Sequence, residues 1–570
     1  MKRNSLFLMM QAVVVLCCSL VISGCDEIFA TEDNPVTSYL QIYEKAVTLK
    51  VGDTYTRTAF AASDAIIEYS SSDVAVATVD QSGLVTAVGA GTALITVRAT
   101  GYATDGRKIY IEDSKSYEVT VTGGGAAPST NSYRVYTSGT DYTDESIPAG
   151  ASAVETSAAA VTWPAGTYVV SSDASIGGNI TLSGDVNLIL CDGKELTVSG
   201  KIIGGTESLK IYGQASGTGK LTIDGGAGDY NIVVNDLQIH GGVFTGTNSG
   251  QAIETNNTLK IYHGTINVTA DATGFMALGD LSIYGGTITA SATNGYAVSV
   301  YNAAMDMTGG SLTATSSTST GIGVTNNITI YGGTINATGG NNAGGNGGSG
   351  IVSNNGDITI SGSANVTATG GDGGTYAINR GGHGIHAGGN GKSITISGGT
   401  VIATAGNGGG TGGYALFTSN NGSTGSINIT GGNVTATAAG TSGIGINSHT
   451  IEVDGSSTTV NTTGAYHGMI SDGTINFKAG TVNAISTDNN SKAIVSANID
   501  YYGGTITATG GGPSGKGFDD DNTLSTLTNK SGAAVDFGRK TNSGDDWTAE
   551  TVANNAAATL FDRYMILPKP

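Results

Sequence analysis

An alternation of apolar and polar residues restarts every twenty-odd positions along most of the chain. In 327–339 it reads Asn-Ile-Thr-Ile-Tyr-Gly-Gly-Thr-Ile-Asn-Ala-Thr-Gly, and close copies recur from about residue 209 to 510. Ile328, Ile330, Ile335 and Ala337 fall on one face and Thr329, Asn336 and Thr338 on the other, the period of a half-buried strand. The Gly332-Gly333 pair interrupts the alternation and permits a corner between two strands. Another short strand precedes each copy, as in 321–325 and 492–496. The apolar residue closing the first strand has equivalents at Ile239, Ile261, Ile283, Met307, Ile330, Ile360, Ile396, Ile429, Val453, Phe477 and Tyr501. Their separations are 22, 22, 24, 23, 30, 36, 33, 24, 24 and 24. Strands ending at Leu190, Ile211 and Ile223 read as earlier, less regular turns. A period near 23 fits one solenoid turn of three short strands, and the leucine-rich signature that could share this period is missing. Around a dozen turns stacked about 4.8 Å apart predict a rod on the order of 55–65 Å long.

From about Tyr39 to Val121 the rhythm differs. Alternating runs such as 46–51 and 93–97 are separated by turn residues at 52–53, 82–83 and 89–91, which predicts a small β-sandwich. The sequence 69–80 (Tyr-Ser-Ser-Ser-Asp-Val-Ala-Val-Ala-Thr-Val-Asp) followed by 83–93 (Gly-Leu-Val-Thr-Ala-Val-Gly-Ala-Gly-Thr-Ala) resembles the bacterial Ig-like group 2 (BIG2) domains. That resemblance implies a domain used on cell surfaces mostly as stalk and spacer. The repeat array in turn resembles right-handed parallel β-helix proteins, and among them a family of secreted bacterial proteins described as carbohydrate-binding. The expected fold is therefore all-β: a small Ig-like β-sandwich followed by a right-handed parallel β-helix.

The N-terminus carries Lys2 and Arg3, then an apolar run from about Leu6 to Ile22, which reads as an export signal outside the fold. It ends Val21-Ile22-Ser23-Gly24-Cys25, resembling the lipobox of bacterial lipoproteins. The resemblance implies cleavage before Cys25, lipidation of that cysteine and anchoring in the bacterial cell envelope, at the outer membrane and surface. The organisation expected is a signal peptide at 1–24, a lipid-anchored tether at 25–38, the BIG2 sandwich at 39–122 and a linker at 123–132. The β-helix with its N-terminal cap follows at 133–514, with Trp163 as a cap residue, and a C-terminal cap at 515–570.

Composition narrows the partners. Charged residues are 12% of the chain and the net charge is −20. With no basic block, nucleic acid and anionic membrane surfaces are disfavoured, leaving membrane contact only through the lipid on Cys25. A polysaccharide or another cell-surface ligand remains. Cys17, Cys18 and Cys25 belong to the export segment, so Cys191 stands alone and no cysteine-based metal site is expected.

Two departures from the average repeat are candidate sites. The residue after the closing apolar position points outward and is His240, Tyr262, Tyr284, Thr308 and Tyr331 in successive turns. Such a stripe could offer flat rings to sugars, with His240, Tyr262, Tyr284 and Tyr331 as contacts, or its rings could simply stack on one another. The three long spacings put glycine-rich insertions at 339–350, 370–391 and 406–413, on one side of the solenoid. The longest holds Asp372, Arg380 and His383, and Arg380 is the only arginine between Arg134 and Arg539. On this fold polysaccharide lyases neutralise a uronate with Ca²⁺ and abstract a proton with a basic side chain, which such a trio could do in principle. Alternation would, however, send His383 and His386 to opposite sides of a strand. No cofactor is expected, although the acidic run Asp519, Asp520 and Asp521 has the oxygen ligands for Ca²⁺. Non-catalytic polysaccharide binding or adhesion is the leading expectation. A polysaccharide lyase or other glycan-degrading enzyme, or an adhesin with a protein ligand, are the alternatives.

Overall fold

A computed structural model describes residues 36–567 apart from 38–39, 43, 51–52, 62–65, 90, 101–109, 112, 123–130, 226–229, 419–423, 520–525, 542–545, 547 and 560–563. Cys25, Asp520 and Asp521 lie outside the described residues. The chain divides into two units at residues 129/130.

The first unit packs two sheets face to face. One orders Val47–Lys50, Asp113–Thr122, Gly91–Thr100 and Ile66–Ser71; the other orders Thr54–Thr56, Leu84–Ala87 and Ala77–Val79. Alternation along Gly91–Thr100 buries Ala93, Ile95, Val97 and Ala99. Arg57 is buried with its guanidinium 4.0 Å from the Tyr117 ring centre, and it donates to the Lys45 carbonyl at 2.8 Å. Burial pushes the Tyr117 hydroxyl up to about 12.

The second unit is a parallel β-solenoid of about 14 turns, roughly 65 Å long at the usual strand spacing. Each turn contributes one strand to each of three sheets. In the turn that contains the reference repeat these are Ile322–Val324 (third sheet), Ile328–Ile330 (first sheet) and Thr334–Thr338 (second sheet). Between the ends, strands pair with their equivalents in the next turn, in register apart from irregularities near Ser397 and Ser448: Ile330 with Ile360, Ile335 with Val366, Ile322 with Ile351. Like residues therefore stack over like. The anchors Ile239 to Tyr501 all lie in one apolar column, none more than 3% exposed, inside a single continuous core.

The corner glycines follow from the same stacking. Gly286, Gly310, Gly333, Gly432 and Gly504 all have φ between 80 and 89°, the left-handed region that side chains resist. At Gly333 a Cβ would also press on the Gly310 carbonyl oxygen of the turn below. A second column caps the entry to the first sheet. Asp185, Asp236, Asp280, Asn327 and Asp357 each accept, through a side-chain oxygen, the N–H of the equivalent residue one turn on, at 2.7–3.0 Å. Burial pushes the Asp236 carboxyl up, but hydrogen bonds from Thr258, Asn257 and Asn235 outweigh it and hold the group below its usual range. These acids are occupied with backbone.

Both ends depart from the parallel ladder. At the start, Trp163 is buried and stacks on Tyr168 at 4.4 Å between ring centres. At the end, Ala557–Thr559 and Tyr564–Leu567 run antiparallel to Thr526–Asn529 and Thr505–Thr509, closing edges that a further parallel turn would extend.

The glycine-rich insertions form a second hydrogen-bonded layer. The outgoing and returning segments of the three loops lie side by side, linked in series. Gly348 N–H donates to the Gly340 carbonyl, Gly371 to Gly348, Gly382 to Gly371, Gly406 to Gly382 and Gly413 to Gly406, at 2.8–2.9 Å. Parallel bridges Asn342–Gly373 and Arg380–Thr411 continue the turn-to-turn register. Glycine is required by close approach, since a Cβ on Gly382 would collide with the Gly348 carbonyl oxygen. The substitution Gly382→Ala is therefore expected to cost at least about 2 kcal/mol, while Gly344→Ala, where a Cβ meets nothing closer than 3.9 Å, should be near neutral. Thermal melts of the two variants beside the parent check this, and equal melting temperatures would show that the loops do not pack as described.

Candidate functional site

The outward aromatic stripe is a continuous ring stack. Tyr212, His240, Tyr262 and Tyr284 lie parallel, with centres 4.8, 4.4 and 4.7 Å apart. Those distances are the turn spacing itself, so the backbone ladder holds the rings in contact.

The stripe is not open along its length. An antiparallel hairpin, Ser132–Tyr136 with Tyr142–Ser146, lies across its first turns. Tyr133 meets Tyr212 edge-on at 4.9 Å, and Tyr136 stacks on His263 at 4.3 Å. The Tyr136 N–H donates to His240 Nδ1 at 3.2 Å. Beneath the hairpin, Val169, Ile189 and Tyr212 form a small apolar patch with Val135, Ile147 and Cys191 against it. His240, expected to face solvent, is thus only 4% exposed. Cys191 is partly covered and burial pushes its thiol up. Tyr262 and Tyr284 are half-buried, and Tyr331, two turns past Tyr284, is 54% exposed.

Where the hairpin ends, a shallow cleft of about 430 Å³ opens over the glycine corners. Its walls are Tyr284, His263 and Thr308 on the solenoid and Ser138 and Thr140 at the hairpin tip; no Asp, Glu, Lys or Arg lines it. Gly139 at that tip sits so close that a Cβ would strike the Tyr284 carbonyl oxygen. A smaller cavity of about 220 Å³ adjoins it, sharing His263 and Thr287, and is lined also by Arg134, Tyr136, His240 and Gln214. There Arg134 faces Asp144 at 3.6 Å and lies 4.2 Å from the Tyr142 ring centre.

The second candidate, in the long insertion, is arranged differently from a convergent cluster. Asp372 takes its place in a turn-to-turn chain of caps: its N–H donates to Asn341 Oδ1 and its own Oδ1 accepts the Asn407 N–H, both at 2.7 Å. Arg380 is exposed and its N–H donates to Asn346 Oδ1. His383 turns the other way, into a cluster with His386, Tyr414 and Phe417 at 4.8–5.2 Å. The expectation that His383 and His386 would part is corrected. The strand begins only at Ile385, so alternation does not reach His383. Burial, then the charges that His386 and Arg380 would carry, push His383 down to about 3, and burial takes His386 to about 4. Nδ1 of His383 accepts the Tyr414 N–H at 3.0 Å. A neutral imidazole committed to a backbone bond, with no carboxylate among the groups shifting it, is poorly placed to cycle protons near neutrality. Among the described residues no group of three or more His, Cys, Asp or Glu side chains is placed to hold a metal ion. Asp519 ends the strand Lys516–Asp519.

Sequence reasoning missed Tyr133, Tyr136 and His263. A signal existed: 188–190 is Leu-Ile-Leu, three apolar residues running through a strand that should alternate, the mark of a sheet covered on both faces.

Residues 36–108 match the model of the bacterial Ig-like domain (group 2). Domains of this kind are typical of extracellular or surface proteins. No curated protein matches the chain.

The buried histidines make stability pH-dependent. His240 is pushed down to about 4 chiefly by burial, and His263 is lowered by burial and by Arg134. The unfolded chain then binds more protons than the folded one between pH 6.5 and about 4, so stability falls as pH drops through that window. Protonation at Nδ1 would also remove the acceptor for Tyr136. His240→Gln, which accepts without titrating, should give a shallower loss in melting temperature from pH 6.5 to 4; an unchanged slope would contradict the burial of this ring.

Proposed function

We propose that this chain, a bacterial Ig-like domain followed by a parallel β-solenoid, is a cell-surface protein that binds a neutral polysaccharide without cleaving it. The solenoid is the binding part and the Ig-like domain a spacer. Cys25, in its lipobox-like setting, would carry the lipid that holds the chain to the envelope, as the only membrane contact.

The observation that carries this reading is the open end of the aromatic stripe. Tyr284 lines a cleft whose walls offer hydroxyls and a neutral imidazole and no charge, and Tyr331 follows on the same line two turns on. Sugar rings present apolar C–H faces with hydroxyls at the rim, and this pairing of ring faces with uncharged hydrogen-bonding groups suits them. A uronate would find no cation in that cleft. His240 is withdrawn from the ligand by the hairpin, so Tyr284, Tyr331 and His263 are the residues we assign to contact.

A glycan array and calorimetry with the hits test this. Binding should weaken by about 1 kcal/mol for each of Tyr284→Ala and Tyr331→Ala, while Tyr376→Ala, on the long glycine loop, leaves it unchanged. Absorbance from unsaturated uronate products on incubation with pectic substrates would overturn the non-catalytic account, and an array without hits would favour a protein ligand.

A further inference from the structure

From Thr265 onward the outward face of the second sheet is chemically uniform. Over ten successive turns, from Thr265–Ala270 to Thr505–Thr509, it is paired in register; the sheet's earlier strand Lys220–Asp224 differs, with Lys220 and Asp224 outward. Each strand presents three outward positions, as Thr287, Thr289 and Ser291 or Thr334, Asn336 and Thr338 do. Of the thirty positions, twenty are threonine, two serine, six asparagine and two isoleucine. None is charged, in a chain of net charge −20. The first sheet, built by the same repeat, does carry charge outward, at Lys260, Asp306, Glu452 and Asp500. Over the same ten turns the second sheet excludes charge where the first does not.

The geometry is a two-dimensional lattice. Hydroxyls repeat about 4.8 Å apart from turn to turn and about 6.6 Å apart along each strand. Threonine is β-branched and stiff about its first torsion, so the backbone fixes where each hydroxyl and methyl sits. Asparagines extend the order: the Asn483 amide donates to Asn461 Oδ1 at 2.9 Å across one turn. Each hydroxyl both donates to and accepts from water, while the methyls between them leave neighbouring waters to bond to one another. Water bound to such a face would take up the period of the sheet. Another β-sheet shares this period, a second copy of this face included, but packing on it would bury hydroxyls and amides with few apolar contacts. A packed polysaccharide is periodic too, but sugars are gripped through aromatic faces, and none of the thirty positions is aromatic.

We propose that this face binds ice, holding an ordered layer of water that merges with the crystal surface. It is separate from the tyrosine cleft, and neither reading depends on the other. The test is partition of the fluorescently labelled full chain into a slowly grown ice hemisphere, together with thermal hysteresis. The full chain should enter the ice and depress the freezing point below the melting point. Thr313→Lys combined with Thr367→Lys, two outward substitutions mid-face, should abolish both effects with the melting temperature of the protein unchanged. Thr329→Lys, outward on the first sheet, should retain them. Exclusion of the parent chain from ice would overturn the proposal. Loss with the Thr329 variant as well would also overturn it, because the effect would not then belong to this face. Sedimentation of the parent chain with crystalline cellulose or chitin, blocked by the mid-face pair and without ice uptake, would assign the lattice to a polysaccharide surface instead.

Discussion

The backbone ladder between equivalent strands of successive turns is the constraint on which the solenoid depends. Because pairing is parallel and in register, each residue lies over its counterpart about 4.8 Å away. Whatever the sequence puts at one position of the repeat becomes a column. Apolar positions become a core, corner glycines a left-handed seam, and Asp or Asn before the first sheet a line of backbone caps. Like charges cannot be stacked this closely without cost, which accounts for a charged fraction of only 12% and for exteriors built from Thr, Ser and Asn.

The same constraint decides what the departures from the repeat can do. Aromatic residues in one column must stack, as Tyr212, His240, Tyr262 and Tyr284 do. A stacked stripe is apolar and is partly covered by the chain's own hairpin, leaving Tyr284 and Tyr331 at the open end. Insertions that fall at the same point of consecutive turns also stack. At 339–350, 370–384 and 406–413 they do so through backbone bonds reinforced by side-chain caps from Asn341, Asn346 and Asp372, and His383 is part of a packed cluster. Within the ladder Asp372 is committed to capping a backbone N–H and His383 to one from Tyr414.

The periodic part of the molecule was legible from residues alone. Strand alternation, the glycine corner and the anchor column from Ile239 to Tyr501 are local patterns repeated often enough to be unambiguous. The Ig-like segment was legible from its turns and from the run 69–93. What escaped was non-local and aperiodic. Nothing between 132 and 146 repeats, so the hairpin's docking on turns a hundred residues away, including Tyr136 on His240, left only the unbroken apolar run 188–190 as a trace. The glycine loops read as ordinary surface loops because glycine usually signals freedom; here it marks backbones in contact.

Whether those loops belong to the ladder is the claim most directly open to measurement. Hydrogen exchange on the full chain, resolved to peptides, should find the amides of Gly348, Gly371, Gly382 and Gly406 exchanging as slowly as those of the core strand Thr334–Thr338, because each is bonded to a neighbouring segment. Exchange of these amides at the rate of an unstructured peptide, with the sheet amides still protected, would contradict the account.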